Sequence, residues 1–357
     1  MLFNLKNTHG GDIYELPVKL DFSVNLNPYG ISETVKAALH SAVLSADHYP
    51  DPYCRELVRA IAEYEKVPEN FILCGNGAAD LIYAYKTAVR PRKAVETAPT
   101  FSEYSQGLSE AKCRISRFEL YPEKNFELDG SFLDFLDRER PDTAFLCNPN
   151  NPTGRLIQPE LLSDILDLCS RKQIRLFVDE CFLELSDHGE SLKVCLQDHK
   201  ELFLLKAFTK NYGIAGVRLG YCLCSDACLL EKMAGQMQPW NVSVFAQEAG
   251  KAALKDTCFL QKAQKLIPEE RKFLMVELQK LGFWVCPSDV NFVLFKAPEK
   301  LNEKMRAAGI AIRDCSNFHG LKEGWYRIAV RLHPENEILI KTMQNVLKED
   351  MKWQKIL

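Results

Sequence analysis

The sequence predicts an α/β protein: a large domain on a mainly parallel sheet sandwiched by helices, followed by a smaller α+β domain. Three observations predict it. From residue 31 to about 245, short apolar runs alternate with amphipathic helical stretches, the pattern of strands joined by crossover helices. Several runs end in loops rich in Gly, Pro or Asn, at the strand ends where such sheets place ligands. Beyond Trp240 the texture changes to a long helical stretch with short strands and helices after it. The chain is therefore divided into an N-terminal arm, 1–30, expected to pack on the small domain, a large domain, 31–245, and a small domain, 246–357.

The arm carries His9-Gly10-Gly11, an extended stretch over 20–24, and the turn Asn25-Leu26-Asn27-Pro28-Tyr29-Gly30. A helix follows Ser32, a residue suited to an N-cap, with Val35, Leu39, Val43 and Leu44 on one face. It stops before His48-Tyr49-Pro50-Asp51-Pro52, where two prolines impose extended or turned backbone. A second helix, 54–65, turns Leu57, Val58, Ile61 and Ala62 inward. The first buried strand, 71–74, runs through Gly75-Asn76-Gly77-Ala78 into a helix over 81–89. Strand, glycine turn and helix N-terminus form an anion cradle in principle. The third glycine of the dinucleotide fingerprint and the Walker lysine are both missing. Strands are expected at 93–98, 115–118, 143–147, 174–178, 202–205 and 219–223, with helices at 130–138 and 159–171. The short link between the last two strands predicts one antiparallel strand. In the small domain we expect a helical stretch over 246–281 interrupted at Pro268, strands at 291–295, 310–312 and 326–330, and helices at 301–308 and 335–348.

Composition narrows the function classes. Hydrophobic residues make up 46% of the chain, enough for a substantial core, and the formal net charge of −3 gives no basic footprint for nucleic acid. No stretch reaches membrane-spanning length, and the first residues lack an apolar signal core. The 13 cysteines lack paired metal-ligand spacing; Cys222, Cys224 and Cys228 are the densest group, and the first two fall in a strand pattern. Free thiols in a reducing cytoplasm fit better than a metal site, so no metal and a cytoplasmic location are expected.

The chemistry concentrates in Ala207-Phe208-Thr209-Lys210-Asn211-Tyr212-Gly213-Ile214-Ala215-Gly216-Val217-Arg218-Leu219-Gly220-Tyr221, set between two apolar strands. A lysine in a buried glycine-rich loop is costly unless something uses it. An aldehyde cofactor would, because an amine of lowered pKa forms a Schiff base readily. A lone lysine would be read as a solvated turn residue; the whole string is not explained that way. It resembles the cofactor-bonding segment of fold-type I pyridoxal 5′-phosphate enzymes, in the class II aminotransferase family. HGGDIYE (9–15), DFSVNLNPYG (21–30), YPDP (49–52), PTFSEY (99–104), DECFLEL (179–185), RDCSNFHGL (313–321) and YRIAVR (326–331) extend the likeness over nearly the whole chain. Within the family these strings are most similar to decarboxylases of L-threonine O-3-phosphate, next to histidinol-phosphate aminotransferases.

The resemblance implies the fold-type I architecture, with a mainly parallel seven-stranded sheet, and assigns roles. Lys210 bonds the cofactor, Asp179 faces its pyridine nitrogen, Asn151 its phenolate oxygen, and Tyr104 stacks on the ring. Gly77, Ala78, Thr209 and Arg218 hold its phosphate, joined by Tyr49 from the neighbouring subunit of a homodimer. Arg327 holds the substrate carboxylate, with Arg331 facing the same pocket and Arg313 close by, while His9, Gly10, Gly11 and Asn25 close over the substrate, with Asn151 also touching it. Two departures stand out. Ala78 replaces a serine frequent in the aminotransferases, and Phe182 replaces their tyrosine, which leans the reading towards decarboxylation. The implied reaction is decarboxylation of an O-phosphorylated amino acid, threonine phosphate or serine phosphate, for the cobalamin linker. The alternative is an aminotransferase of histidinol phosphate or an aromatic amino acid. A non-catalytic regulator on the same fold is disfavoured, since no DNA-binding segment precedes His9.

Overall fold

The computed structural model describes residues 9–14, 18–106, 108 and 112–354. Its strands are β1 (Leu20–Asp21), β2 (Ile72–Gly75), β3 (Lys93–Ala98), β4 (Arg114–Glu119), β5 (Thr143–Cys147), β6 (Arg175–Asp179), β7 (Leu202–Ala207), β8 (Gly220–Leu223), β9 (Trp284–Val285), β10 (Phe292–Lys296), β11 (Ile310–Ala311), β12 (Arg313–Asp314) and β13 (Trp325–Ala329). Seven of them form the large sheet in the order β2-β8-β7-β6-β5-β3-β4. The expected antiparallel strand is β8, which runs against both β7 and β2; the other pairings are parallel. The central strands are buried along their whole length because helices cover both faces, as in parallel sheets generally. One face packs Leu57, Ile61, Leu146, Val178 and Leu204 against helices Arg55–Glu65 and Val244–Lys255. The other packs Tyr85, Phe145, Phe177 and Phe203 under helix Ala78–Val89.

The small sheet has the order β12-β13-β10-β9, all antiparallel. The arm joins this unit: β1 pairs with β11 in parallel, and Phe22 is fully buried among Val293, Ile328 and Leu339. Ser32 caps helix Glu33–Ala42 by accepting from the Val35 N–H.

Several expectations need correcting. The interruption of the long helical stretch falls at Asp256, not at Pro268, which sits inside helix Thr257–Lys280. Burial of Leu260, Ala263, Ile267, Leu274 and Leu278 on both sides of the proline offsets its helix cost of about 3 kcal/mol. The boundary drawn at residue 245 falls inside helix Val244–Lys255, whose Ala246, Ala249 and Ala253 belong to the large-domain core. Helix Ala227–Ala234, capped by Asp226, and the short strands β9 and β12 escaped the sequence reading. Two-residue strands carry no readable alternation.

Candidate active site

The C-terminal ends of the parallel strands open into a cavity of about 230 Å³. Each wall comes from a different segment. β6 delivers Asp179 and Cys181, the loop after β5 delivers Asn151, and the turn after β7 delivers Thr209 and Lys210. The start of helix Ala78–Val89 supplies Ala78 and Ala79, the arm His9, Gly10, Ser23, Val24 and Asn25, and the small sheet Arg313 and Arg327.

Lys210 lies on the helical turn Phe208–Asn211, and its amine has no hydrogen bond or ion pair among the described residues. Burial, then the Arg327 and Arg218 guanidiniums, pull its pKa down to about 8, against the raising effects of Cys181 and Asp179. Such an amine is substantially neutral near pH 8, as a nucleophile must be. Asp179 accepts from the Tyr104 hydroxyl at 2.6 Å and from the Cys181 N–H at 2.9 Å. Burial nevertheless raises its pKa, so a cationic partner inside the cavity would relieve it.

One end of the cavity is built for an anion. Gly77, at φ +85°, is the N-cap of the twelve-residue helix Ala78–Val89 and gives it no side-chain cap. A Cβ on Gly77 would come within 2.7 Å of Arg218 Nη2, so the guanidinium lies directly over the glycine. Thr209 completes this end. Uncapped N–H groups, a hydroxyl and a guanidinium suit a phosphate.

The opposite wall is cationic too. Arg313 and Arg327 are directly paired across β12 and β13. Arg327 donates to Asn151 Oδ1, to the Ser23 carbonyl at 3.0 Å, and through Nε and Nη1 to Asn25 Oδ1 at 3.2 Å, the orientation that satisfies that amide. No carboxylate forms an ion pair with Arg327 among the described residues. Burial, with Arg313 adding to it, lowers its pKa to about 10. Arg313 donates to the Asp314 carbonyl at 2.5 Å and to Asn317 Oδ1 at 2.8 Å. Like charges directly opposite on a sheet are destabilising; an anionic ligand resolves that. At the mouth, His9 Nε2 lies 2.9 Å from Glu103 Oε1.

Two expectations fail here. Tyr104 does not line the cavity: it is fully buried, stacked at 5.8 Å on Phe145, with its hydroxyl spent on Asp179. Phe101, three residues earlier in the same turn, holds the cavity wall instead. Arg331 does not share the pocket with Arg327. β13 ends at Ala329, so strand alternation no longer holds two residues later. Arg331 instead donates to the Asp21 carbonyl at 3.1 Å and to Glu335 at 2.9 Å, tying arm to small domain. Gly11, whose N–H donates to Ser23 Oγ at 2.9 Å, shapes the arm behind the wall. Tyr49 is 80% exposed, packs at 4.7 Å and a tilt of 32° against Trp240, and lies outside the cavity of its own chain. Val24, Ala79, Cys147 and Phe318 also line the cavity; as isolated small or apolar residues they gave no chemical signal. Cys222 and Cys224 are buried and Cys228 exposed, and no metal-ligating cluster occurs among the described residues.

The model of the aminotransferase class I and II family matches residues 17–342. The chain belongs to that family. A threonine-phosphate decarboxylase of Salmonella typhimurium is 34% identical over 97% of this chain and 98% of its own length. Among solved structures, L-threonine-O-3-phosphate decarboxylase from Porphyromonas gingivalis superposes with a TM-score of 0.83 at 25% identity, over 92% of this chain and 99% of that one. Histidinol-phosphate aminotransferase from Clostridium acetobutylicum superposes with 0.86 at 28% identity, over the same shares. Family membership brings pyridoxal 5′-phosphate as cofactor, and the residues fit it. A phosphate cradle that a single Cβ would fill, a buried carboxylate whose pKa burial raises, and a lysine amine with no hydrogen bond or ion pair among the described residues share one cavity. No helix is long and apolar enough to cross a membrane among the described residues.

Proposed function

We propose that this enzyme decarboxylates a small O-phosphorylated amino acid, L-threonine O-3-phosphate to 1-aminopropan-2-ol O-phosphate, with L-serine O-phosphate to ethanolamine phosphate as the competing substrate. The observation that carries the reading is the Arg313–Arg327 pair. Besides the cradle at Gly77, the cavity wall carries two guanidiniums side by side, which suit a substrate with two anionic groups, a carboxylate and a phosphate.

When bound, pyridoxal phosphate supplies an electron sink for the pair left at Cα. Thr209, Arg218 and the N–H groups at Ala78 and Ala79 hold its phosphate. Asp179 pairs with its ring nitrogen, buttressed by the Tyr104 hydroxyl; Asn151 donates to its phenolate oxygen, and Phe101 covers the ring. Arg327 binds the substrate carboxylate, and Arg313 and His9, with Asn25 near, bind the substrate phosphate. Two separated anchors fix rotation at Cα and so choose which bond is weakened. The Cα–carboxylate bond breaks, carbon dioxide leaves, and the Lys210 ammonium returns a proton to Cα. Phe182, with its ring 5.5 Å from Lys210 Nζ, puts no hydroxyl there to compete for that proton. The methyl of threonine phosphate contributes about 1–3 kcal/mol of discrimination in an apolar pocket, so overlap with serine phosphate is expected.

The working form is a homodimer in the cytoplasm, with Tyr49 reaching the neighbouring cofactor phosphate and with no nucleic-acid or membrane partner. Tyr49, Tyr53 and Leu44 are exposed large apolar side chains that a second copy would cover. The product is the linker of the cobalamin nucleotide loop. Product analysis tests the proposal. Loaded enzyme given L-threonine O-phosphate should yield carbon dioxide and an amino-alcohol phosphate in equal amounts. Amino transfer from histidinol phosphate to a keto acid, with no carbon dioxide from either phosphoamino acid, would overturn it in favour of an aminotransferase.

A further inference from the structure

Behind the cavity, on the other face of the sheet, lies a buried ion cluster that the chemistry above leaves unused. Ala207 lines the cavity, so its neighbour Lys206 points away from it. Lys206 is 4% exposed, with Nζ 3.1 Å from Glu65 Oε1, 3.6 Å from Glu180 Oε2 and 3.7 Å from Glu184 Oε1. Glu65 also accepts from Lys193 Nζ at 2.7 Å and from the Tyr221 hydroxyl at 2.5 Å. Glu180 accepts from Ser191 Oγ at 2.6 Å and the Leu192 N–H at 3.0 Å. Tyr64 and Tyr212 face the same carboxylates. With all five charges present, Glu65, Glu180 and Glu184 outnumber Lys206 and Lys193.

The carboxylates sit on segments that carry the site. Glu180 directly follows Asp179. Glu184 accepts from Asn211 Nδ2 at 2.8 Å, and Asn211 directly follows Lys210. The Asn211 carbonyl in turn accepts from Asn27 Nδ2 at 2.8 Å, and the Lys210 carbonyl from the Asn27 N–H at 2.9 Å. Removing one member of a buried ion cluster leaves the rest uncompensated. We infer that Lys206 is a positioning residue: by pairing with Glu65, Glu180 and Glu184 at once it clamps the strand end bearing Asp179 to the turn bearing Lys210. The inference rests on the cofactor reading, in which Asp179 and Lys210 must hold one ring between them.

The test uses Lys206→Met and the double variant Lys206→Met/Glu184→Gln. Cofactor affinity is measured by fluorescence titration of the cofactor-free protein, and the pH midpoint of the bound cofactor's absorption band by spectrophotometry. Asp179, Cys181, Arg218 and Arg327, the charged or titratable groups facing Lys210, are unchanged in both variants. Lys206→Met should weaken cofactor binding about tenfold, the scale of coupling through packed networks. It should also move the midpoint to higher pH, because a positive charge beneath Lys210 is lost. The double variant, with one carboxylate fewer, should recover most of both changes. Wild-type affinity and midpoint in Lys206→Met, or a double variant no better than the single, would overturn the inference. Wild-type protein that binds no pyridoxal phosphate would instead overturn the cofactor reading, and this inference with it. If Lys206→Met does not fold, Glu184→Gln alone decides: a midpoint moved to lower pH supports the clamp, and an unmoved one refutes it.

Discussion

Replacing Gly77 by alanine separates two costs that the structure places at one atom. The first is conformational. Gly77 sits at φ +85° and ψ 165°, a region open essentially to glycine alone, where a side chain costs about 1–3 kcal/mol. That strain is present with or without cofactor, so it lowers stability and leaves affinity untouched. The second is steric. The new Cβ would lie 2.7 Å from Arg218 Nη2 and 3.1 Å from its Cζ. A flexible guanidinium gives way, and in doing so loses its alignment over the helix N-terminus. A hydrogen bond to a charged group contributes about 1.5–3 kcal/mol, which corresponds to a loss of about 10- to 100-fold in cofactor affinity. Titration of the cofactor-free variant with pyridoxal phosphate reads the second cost, and its thermal unfolding without cofactor reads the first. A variant of lowered stability but wild-type affinity would refute the assignment of Arg218 and the Gly77 turn to the cofactor phosphate.

Lys210 and Tyr104 give two more. The Lys210 pKa of about 8, against 10.5 ordinarily, means the unfolded chain binds more protons between those values, so the lysine destabilises the cofactor-free fold below pH 8 by at most about 3 kcal/mol and progressively less up to pH 10.5. Lys210→Met should therefore be more stable than wild type at pH 7 without cofactor, with the gap closing by about pH 10.5; an identical pH slope in both proteins would sink the argument. Tyr104→Phe removes a donor that lowers the Asp179 pKa. The acid limb of the pH–rate profile should move to higher pH and the rate fall by about tenfold, the scale of one charge-assisted hydrogen bond; an unmoved acid limb would show that Tyr104 only fills space.

What the sequence disclosed follows a physical divide. Lys210, Asp179, Asn151 and Arg218 stood out through the resemblance of the short strings that carry them, a glycine turn, a strand end and a loop with two prolines, and the structure brings all four to one cavity. Thr143–Cys147 was bounded to the residue because a five-residue apolar run between polar loops has one reading. Arg331 failed because its direction depends on where β13 stops, and the pairing that stops it comes from residues far away in the chain. Tyr104 failed in favour of Phe101 because both are aromatics in one turn, and only the fold shows which ring Asp179 holds back. Pro268 failed because its cost is local while the compensating burial is tertiary. The Arg313–Arg327 pair was half visible: both arginines stood out, but the register that sets them side by side did not.

The same divide explains how a chain of net charge −3 presents a cationic cavity. Nothing in composition favours it, so the charges must be sorted by geometry. Backbone alternation does the sorting at the strand ends. Asp179 faces the cavity and Glu180 the ion cluster; Ala207 lines the cavity while Lys206 joins the cluster; Lys210 faces the cavity and Asn211 binds Glu184. Excess negative charge is thus placed behind the sheet, where Lys206 and Lys193 restrain it. Arg218, Arg313 and Arg327 line the front, where Asp179 is the carboxylate on the cavity wall among the described residues. A one-residue slip of β6 or β7 would exchange the two sets. It would bring Glu180 into a phosphate-binding cavity and leave Asp179 among the glutamates. The register of these two strands, set by their pairing with each other and with β5, therefore determines the sign of the site as well as its shape.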